Sequence, residues 1–232
     1  LRWFYLFLIS MSAVFLLAPA SAWLAVKIGA MDMPDARKVH TSPVPRIGGA
    51  AVYLAVMAAV IRNQQFSREI YGIMIGGTII FLLGFFDDWR GLSSGTRLFW
   101  QTAAALVVTF FGLHLSLPAK MPFGFVISTV LSVVWLVGIV NAFNFMDGID
   151  GLAPAMGSVC ALLFLGISWK SNQYPLSFIS AALAGACAGF LRINWRPARA
   201  FLGDSGSTFI GFILGCLALY GSWPPPKPPV TI

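Results

Sequence analysis

Four short segments of this 232-residue chain carry most of its reactive side chains. In the first, Asp87 and Asp88 follow directly on the apolar run 79–86. Neighbouring carboxylates about 5 Å apart repel by roughly 3 kcal/mol at an effective dielectric near 20. A divalent cation, a basic partner or a retained proton relieves that repulsion. In the second segment, NAFNFMDGIDGL at 141–152, Asn141, Asn144 and Asp147 recur every third residue, so on a continuing helix they form one stripe. Asp147-Gly148 and Asp150-Gly151 add turns that let a ligand approach the backbone. Amides and carboxylates at this density suit a hard, oxygen-ligated cation or a hydrogen-bonded ligand. The third, NWRPARAFLGDSGS at 194–207, joins Arg196 and Arg199 to a Gly-Asp-Ser-Gly-Ser stretch. Such a stretch caps a helix, and a helix N-terminus seats phosphate. The fourth, PDARKVHTSPVPRIGG at 34–49, reads as a shaped loop whose basic cluster, Lys38 included, suits phosphate or lipid headgroups. Asp87, Asp88, Asp147, Asp150 and Asp204, with amides, glycine turns and arginines, make an inventory for metal-assisted phosphoryl transfer.

The elements that must hold these residues are membrane helices. Hydrophobic residues make up 58% of the chain and charged residues 10%, against about a quarter charged in a soluble domain. The mean hydropathy is +0.83. These figures exclude a disordered chain, a disulfide scaffold and an ordinary cytosolic enzyme. Apolar runs at 3–30, 47–62, 70–86, 98–117, 123–143, 153–169, 174–191 and 206–222 predict about eight transmembrane helices in one all-α polytopic bundle, because an open strand cannot satisfy its backbone in lipid. The second and third runs are short, and tilting or cover by protein is expected for them. Cys160, Cys187 and Cys216 lie in apolar stretches and read as small core residues, not disulfides.

With eight spans, alternate loops share a side of the membrane. The loops 31–46, 87–97, 144–152 and 192–205 then face one way. Asp32, Asp35, Asp87, Asp88, Asp147, Asp150 and Asp204 all lie there, and only Glu69 lies opposite. The basic residues lean modestly the same way, which favours the cytoplasm for that face. Because the net charge of +7 is scattered among apolar runs, it points to anionic lipid and not to nucleic acid. His114, deep in the fourth run, reads as a satisfied buried residue near the far side.

In family order, the segments at 34–49, 84–101, 141–152 and 194–207 resemble those of the polyprenyl-phosphate N-acetylhexosamine-1-phosphate transferases, of glycosyltransferase family 4 type. These enzymes begin O-antigen, enterobacterial common antigen and teichoic-acid linkage synthesis. The resemblance implies a bacterial inner-membrane enzyme with a cytoplasmic active face. It implies transfer of a sugar 1-phosphate, GlcNAc by default, from a UDP-sugar to a C55-type polyprenyl phosphate. UMP would be released, and Mg²⁺, or Mn²⁺, would be required. By motif position, Asn144 and Asp204 correspond to metal ligands and Asp87 and Asp88 to the essential catalytic pair. Asp147, Asp150, Asn194, Phe201, Arg97 and Lys38 correspond to the nucleotide-sugar side, with Phe201 where uracil stacks and Arg97 where a basic residue faces phosphate. Adjacent helical residues point about 100° apart, so the pair is expected to divide its work. Asp87 would face the lipid phosphate; Asp88 would brace the metal–diphosphate assembly or a cation such as Lys38 or Arg97. The expected partners are the UDP-N-acetylhexosamine, polyprenyl phosphate and membrane lipid, with a homodimer as the open assembly question.

The family carries a His-rich loop and further spans after the eighth helix, so residues 1–232 are expected to be one transferase domain forming the N-terminal two-thirds of that fold. Phospho-MurNAc-pentapeptide transferases are more distant in motif and form one alternative. A non-catalytic transporter or lipid-binding protein is another, but it would place ionisable groups near the midplane and not at helix ends. Leu202-Gly203-Asp204 faintly matches the Gly-x-Gly-Asp signature of intramembrane aspartyl proteases, but position 201 is Phe where that signature needs Gly.

Overall fold

The computed structural model describes residues 2–33, 43–46, 48–63, 67–118 and 121–221. Each of the eight apolar runs is a helix: α1 (Arg2–Ile28), α2 (Gly49–Asn63), α3 (Arg68–Arg90), α4 (Ser94–Phe110), α5 (Gly124–Met146), α6 (Leu152–Lys170), α7 (Tyr174–Asn194) and α8 (Gly203–Tyr220). Between α1 and α2, Met31–Asp32 (β1) and Val44–Pro45 (β2) pair as a two-residue antiparallel ribbon. Among the described residues, six helices are long and apolar enough to cross a membrane; the 15-residue α2 and 17-residue α4 are shorter. At 1.5 Å per residue α2 spans about 22 Å, less than a hydrocarbon core of about 30 Å. The protein is a polytopic helical membrane protein.

Two expectations about helix length change. The third run, expected to be short, is a full 23-residue helix, because α3 continues through Asp87 and Asp88 to Arg90. The Asp pair thus sits inside the last turns of a helix and not beyond its end. The fourth run ends early: α4 stops at Phe110, and Gly112 has φ +104. Beyond it the Leu115 N–H donates to Ser132 Oγ at 2.8 Å, and Ser128 Oγ donates to the Leu115 carbonyl. Two serines of α5 therefore satisfy backbone that would otherwise need a helix. His114, expected buried deep in the fourth run, instead lies half-buried beyond the end of α4, with Nδ1 3.2 Å from the same Ser128 hydroxyl.

Helices α7 and α8 form the interior. α8 packs against α2, α3, α5 and α6, and α7 packs against α1, α2 and α6. Small residues set these approaches. A side chain at Gly189 or Gly211 would press into the backbone of Met11 or Ile139, at 2.8 and 2.9 Å. Such close contact is how apolar helices associate in lipid, where the hydrophobic effect offers little drive. Cys187 and Cys216 are buried in this interior as small apolar residues, and Cys160 is partly buried; none forms a disulfide. At the end opposite the polar loops, Trp169 contacts Trp3 and Tyr174, with ring centroids 6.0 and 5.9 Å away. Amphipathic rings gather in this way at a membrane–water boundary.

Candidate active site

The polar loops meet at one end of the bundle, and their backbones are stitched together there. Gly48 and Gly49 donate N–H groups to the carbonyls of Phe201 and Leu202, at 3.0 and 2.8 Å, and Phe201 N–H donates to Pro45 at 2.9 Å. The gathering of loops read from their alternation is thus present among the described residues. Lys38, Arg37, Asp35 and His40 lie outside the described residues.

The start of α8 organises the site. Gly203 has φ +70, a backbone state that favours glycine. Its position also leaves no room, because an added Cβ would lie 2.5 Å from Asp88 Oδ2. Asp88 then receives the next two backbone donors: Asp204 N–H at 2.8 Å on Oδ1 and Ser205 N–H at 3.0 Å on Oδ2. The helix is capped by a carboxylate from α3, 116 residues away in sequence, and not by its own serines. Those hydroxyls turn back into the helix, with Ser207 donating to Gly203 at 2.9 Å and Thr208 to Asp204 at 2.5 Å. The phosphate seat expected at this N-terminus is filled by the Asp88 carboxylate. Asp88 braces the backbone of α8; Arg97, one of the cations expected beside it, is engaged elsewhere.

Arg97 pairs with Asp87. Gly91, at φ +68, ends α3, and Ser93 starts α4 by accepting from Thr96 N–H at 3.2 Å. This short turn folds α4 back so that Arg97 Nε lies 2.8 Å from Asp87 Oδ2, while Leu92 N–H donates to Oδ1 at 2.7 Å. Arg97 Nη1 also reaches within 3.9 Å of Asp204 Oδ2. On the other side, Asn144, in the last turn of α5, donates to Asp204 Oδ1 at 2.6 Å and to Ser207 Oγ at 3.3 Å. Arg97 stands between Asp87 and Asp204, within reach of both. Asp87, Asp88, Arg97, Asn144 and Asp204 are thus one connected group, with Asp87 and Asp88 only 7% and 9% exposed.

Asp147 follows at the C-terminal end of α5. Burial above all, then the carboxylates of Asp88 and Asp204, hold its carboxyl well above the usual carboxylate range; the Gly203 N–H and Arg46 pull the other way. The remaining residues singled out by motif act as struts. Asp150 Oδ2 accepts from Ala198 N–H at 3.3 Å. Asn194, 1% exposed, accepts from Gly151 N–H and donates to the Ala200 carbonyl, both at 2.9 Å. Its amide therefore joins the 144–152 and 192–205 loops. Phe201 joins the latter to Pro45 and Gly48 through its backbone, and it is half-buried.

The sequence reading gave no role to Gln101. It lines a small cavity with Asp87, Arg97, Asn141, Asn144, Asp204 and Thr208, with space of about 20 Å³, enough for one water-sized or ion-sized occupant. A signal was available: Gln101 stands one turn after Arg97, inside an apolar run where an amide is costly.

Among the described residues, no three His, Cys, Asp or Glu side chains gather as a complete metal cage. The donors present are nevertheless hard oxygens: the Asp87 and Asp204 carboxylates, both reached by Arg97, and the Asn144 amide oxygen, which would face a cation once the amide turns over from its present bond to Asp204. Arg97 offsets part of this negative charge, and a divalent cation would offset the rest. Mg²⁺ binds through one or two carboxylates plus substrate phosphates and water, and this donor set fits that mode.

Comparison with known proteins agrees with the geometry. The chain is 32% identical, over 93% of its length and 62% of the relative's, to the probable undecaprenyl-phosphate N-acetylglucosaminyl 1-phosphate transferase of Bacillus subtilis. It is 34% identical, over 94% of its length and 60% of the relative's, to the decaprenyl-phosphate N-acetylglucosaminephosphotransferase of Mycolicibacterium smegmatis. A phospho-N-acetylmuramoyl-pentapeptide-transferase of Halalkalibacterium halodurans is 30% identical, over 84% of this chain and 66% of its own. The chain thus spans about 60% of the length of the first two relatives. The family model described as glycosyl transferase family 4 matches residues 70–222, which include Asp87, Asp88, Asn144 and Asp204, and the chain belongs to that family.

Proposed function

We propose that this chain carries the catalytic centre of a Mg²⁺-dependent enzyme that transfers N-acetylglucosamine 1-phosphate from UDP-N-acetylglucosamine to a polyprenyl phosphate, releasing UMP. The observation that carries the reading is the joined group of Asp87, Arg97, Asn144 and Asp204 at the polar end of a membrane bundle. The Bacillus subtilis and Mycolicibacterium smegmatis relatives, by name, supply the sugar and the acceptor class. In this reaction an oxygen of the lipid phosphate attacks the sugar-bearing phosphorus, and the bond from that phosphorus to the UMP oxygen breaks. Asp204 and Asn144 would hold the Mg²⁺, which would supply charge neutralisation at the diphosphate. Asp87 orients the lipid phosphate and takes any proton it carries. Arg97, already shared between two carboxylates, turns its guanidinium towards incoming phosphate oxygens. Asp88 keeps the start of α8 in place while this happens.

The test is labelled UDP-N-acetylglucosamine with undecaprenyl phosphate and Mg²⁺, using membranes that contain the full chain. Label is expected in the lipid phase, with UMP in the aqueous phase. Label that enters lipid only from UDP-MurNAc-pentapeptide would move the assignment to the pentapeptide transferases. No lipid-linked product from either donor would refute transfer.

In this reading the active face lies on the cytoplasmic side of the bacterial inner membrane, where the nucleotide sugar is. Single cysteines at Ser94 and Ser171, in a background lacking Cys160, Cys187 and Cys216, are expected to react with a membrane-impermeant thiol reagent from opposite sides. Position 94 should be reached from the cytoplasm. Reaction of both from one side would overturn the arrangement.

A further inference from the structure

We propose that the Gln101 carboxamide, aimed by Asn141, is a phosphate-positioning donor for the lipid acceptor; this rests on the transferase reading above. Helices α3, α4, α5 and α8 form a closed ring, in which α3 and α5 each pack on both α4 and α8. The polar groups inside it lie in two layers. Asp87, Arg97, Asn144 and Asp204 form the outer layer. One helical turn deeper, about 5.4 Å, the same cavity is lined by Gly84, Gln101, Asn141 and Thr208.

In the deeper layer two positions are closed to a ligand. At Gly84 an added Cβ would lie 2.5 Å from the Asp204 carbonyl oxygen, so the helices touch there. The Thr208 hydroxyl is committed to its own helix. Gln101 and Asn141 remain, and they are bonded unequally. Asn141 Nδ2 uses both hydrogens at 2.7 Å, on Gln101 Oε1 and on the Val137 carbonyl. The return bond, Gln101 Nε2 to Asn141 Oδ1, is 3.5 Å long, at the outer limit for a hydrogen bond. Asn141 thus fixes the Gln101 oxygen and leaves its nitrogen weakly engaged, in a side chain only 4% exposed. A buried donor held so loosely gains most from an anionic oxygen.

Location selects the anion. The deeper layer is the bilayer side of the site, and the lipid phosphate is tethered to a chain in hydrocarbon, whereas the nucleotide arrives from water. Gln101 also follows Arg97 by one turn on the same face, so a phosphate held by the guanidinium in the outer layer directs one oxygen, as much as a space of about 20 Å³ admits, at the carboxamide beneath it. A neutral donor suits this place, because a second cation there would be drawn to Asp87.

The experiment compares Gln101→Leu and Gln101→Glu with the wild type, using the full chain in membranes. KM for undecaprenyl phosphate and KM for UDP-N-acetylglucosamine are measured separately. Gln101→Leu is expected to raise the acceptor KM about tenfold and to leave the donor KM within about twofold. Gln101→Glu, nearly the same size, should raise the acceptor KM further, because a carboxylate repels phosphate. A role confined to holding α4 against α5 would move both constants together or lower only the amount of folded protein. Equal changes in the two constants, or none in the acceptor KM, would overturn the proposal. If Gln101→Leu fails to accumulate, Gln101→Glu carries the same comparison. Wild-type membranes that form product while the variants show no acceptor effect leave the transferase reading standing. Wild-type membranes that form none refute that reading, and this proposal with it.

Discussion

Asp204→Asn is expected to lower turnover by about 10²- to 10³-fold, the loss typical when one preorganised charge interaction at a reacting group is removed, while the protein still inserts and folds. Asp204 is the carboxylate at which the site's contacts converge. Asn144 donates to one oxygen at 2.6 Å, and Arg97 stands 3.9 Å from the other. Its side chain is also the more open of the two carboxylates on the cavity, at 29% against 4% for Asp87, so an incoming cation or diphosphate meets it first. Asparagine keeps the shape and the backbone N–H that Asp88 accepts, but removes the charge. The fold should therefore survive, because the Asp88 cap and the Thr208 bond both use Asp204 backbone atoms. Radiolabel transfer in membranes, with Mg²⁺ titrated, reads both effects: a lower maximum and a higher Mg²⁺ requirement. Near-wild-type turnover in the variant without added divalent cation would remove Asp204 from the metal-binding role.

The sequence made the helices legible because lipid leaves the backbone few choices. Eight apolar runs became eight helices, and the described parts of the four polar loops meet at one end of the bundle, as alternation required. It was less informative where backbone satisfaction comes from elsewhere in the chain. The segment after Phe110 looks apolar enough to continue a helix, yet Ser128 and Ser132 of the next helix take its polar groups. The same limit governed the site. Loop alternation put the carboxylates and Asn144 on one face and the family resemblance added Arg97; Asp87, Asp88, Arg97, Asn144 and Asp204 do gather. Neither said what each one touches, because the partners are 60 residues apart for Asn144 and Asp204 and 116 for Asp88 and the Asp204 backbone. Asn194 is an example: motif position assigned it to the nucleotide pocket, and spacing could not foretell that its amide bonds two backbone partners from separate loops.

The Asp pair should separate under mutation, with Asp88 governing stability and Asp87 governing turnover. Both oxygens of Asp88 accept backbone N–H groups at the buried start of α8. Asparagine at this position would aim an NH₂ at one of those donors and leave it unsatisfied. Hydrogen bonds to a charged acceptor contribute about 1.5–3 kcal/mol each, and an unsatisfied buried donor costs a comparable amount. A loss of about 2–4 kcal/mol follows for Asp88→Asn. At about 2–4 °C per kcal/mol for a chain of this size, Tm should fall by roughly 5–15 °C. Asp87 differs in kind. One of its oxygens accepts the Leu92 N–H, which an asparagine oxygen can still do, and the other faces Arg97 at the rim of the cavity. Asp87→Asn should therefore shift Tm by less than half as much, while kcat falls about 10²-fold or more and KM for the UDP-sugar stays nearly constant. Thermal unfolding of the detergent-purified variants, with kcat and both KM values alongside, makes the comparison. A wild-type Tm for Asp88→Asn would sink the capping role, and equal thermal and kinetic losses in the two variants would sink the division of labour.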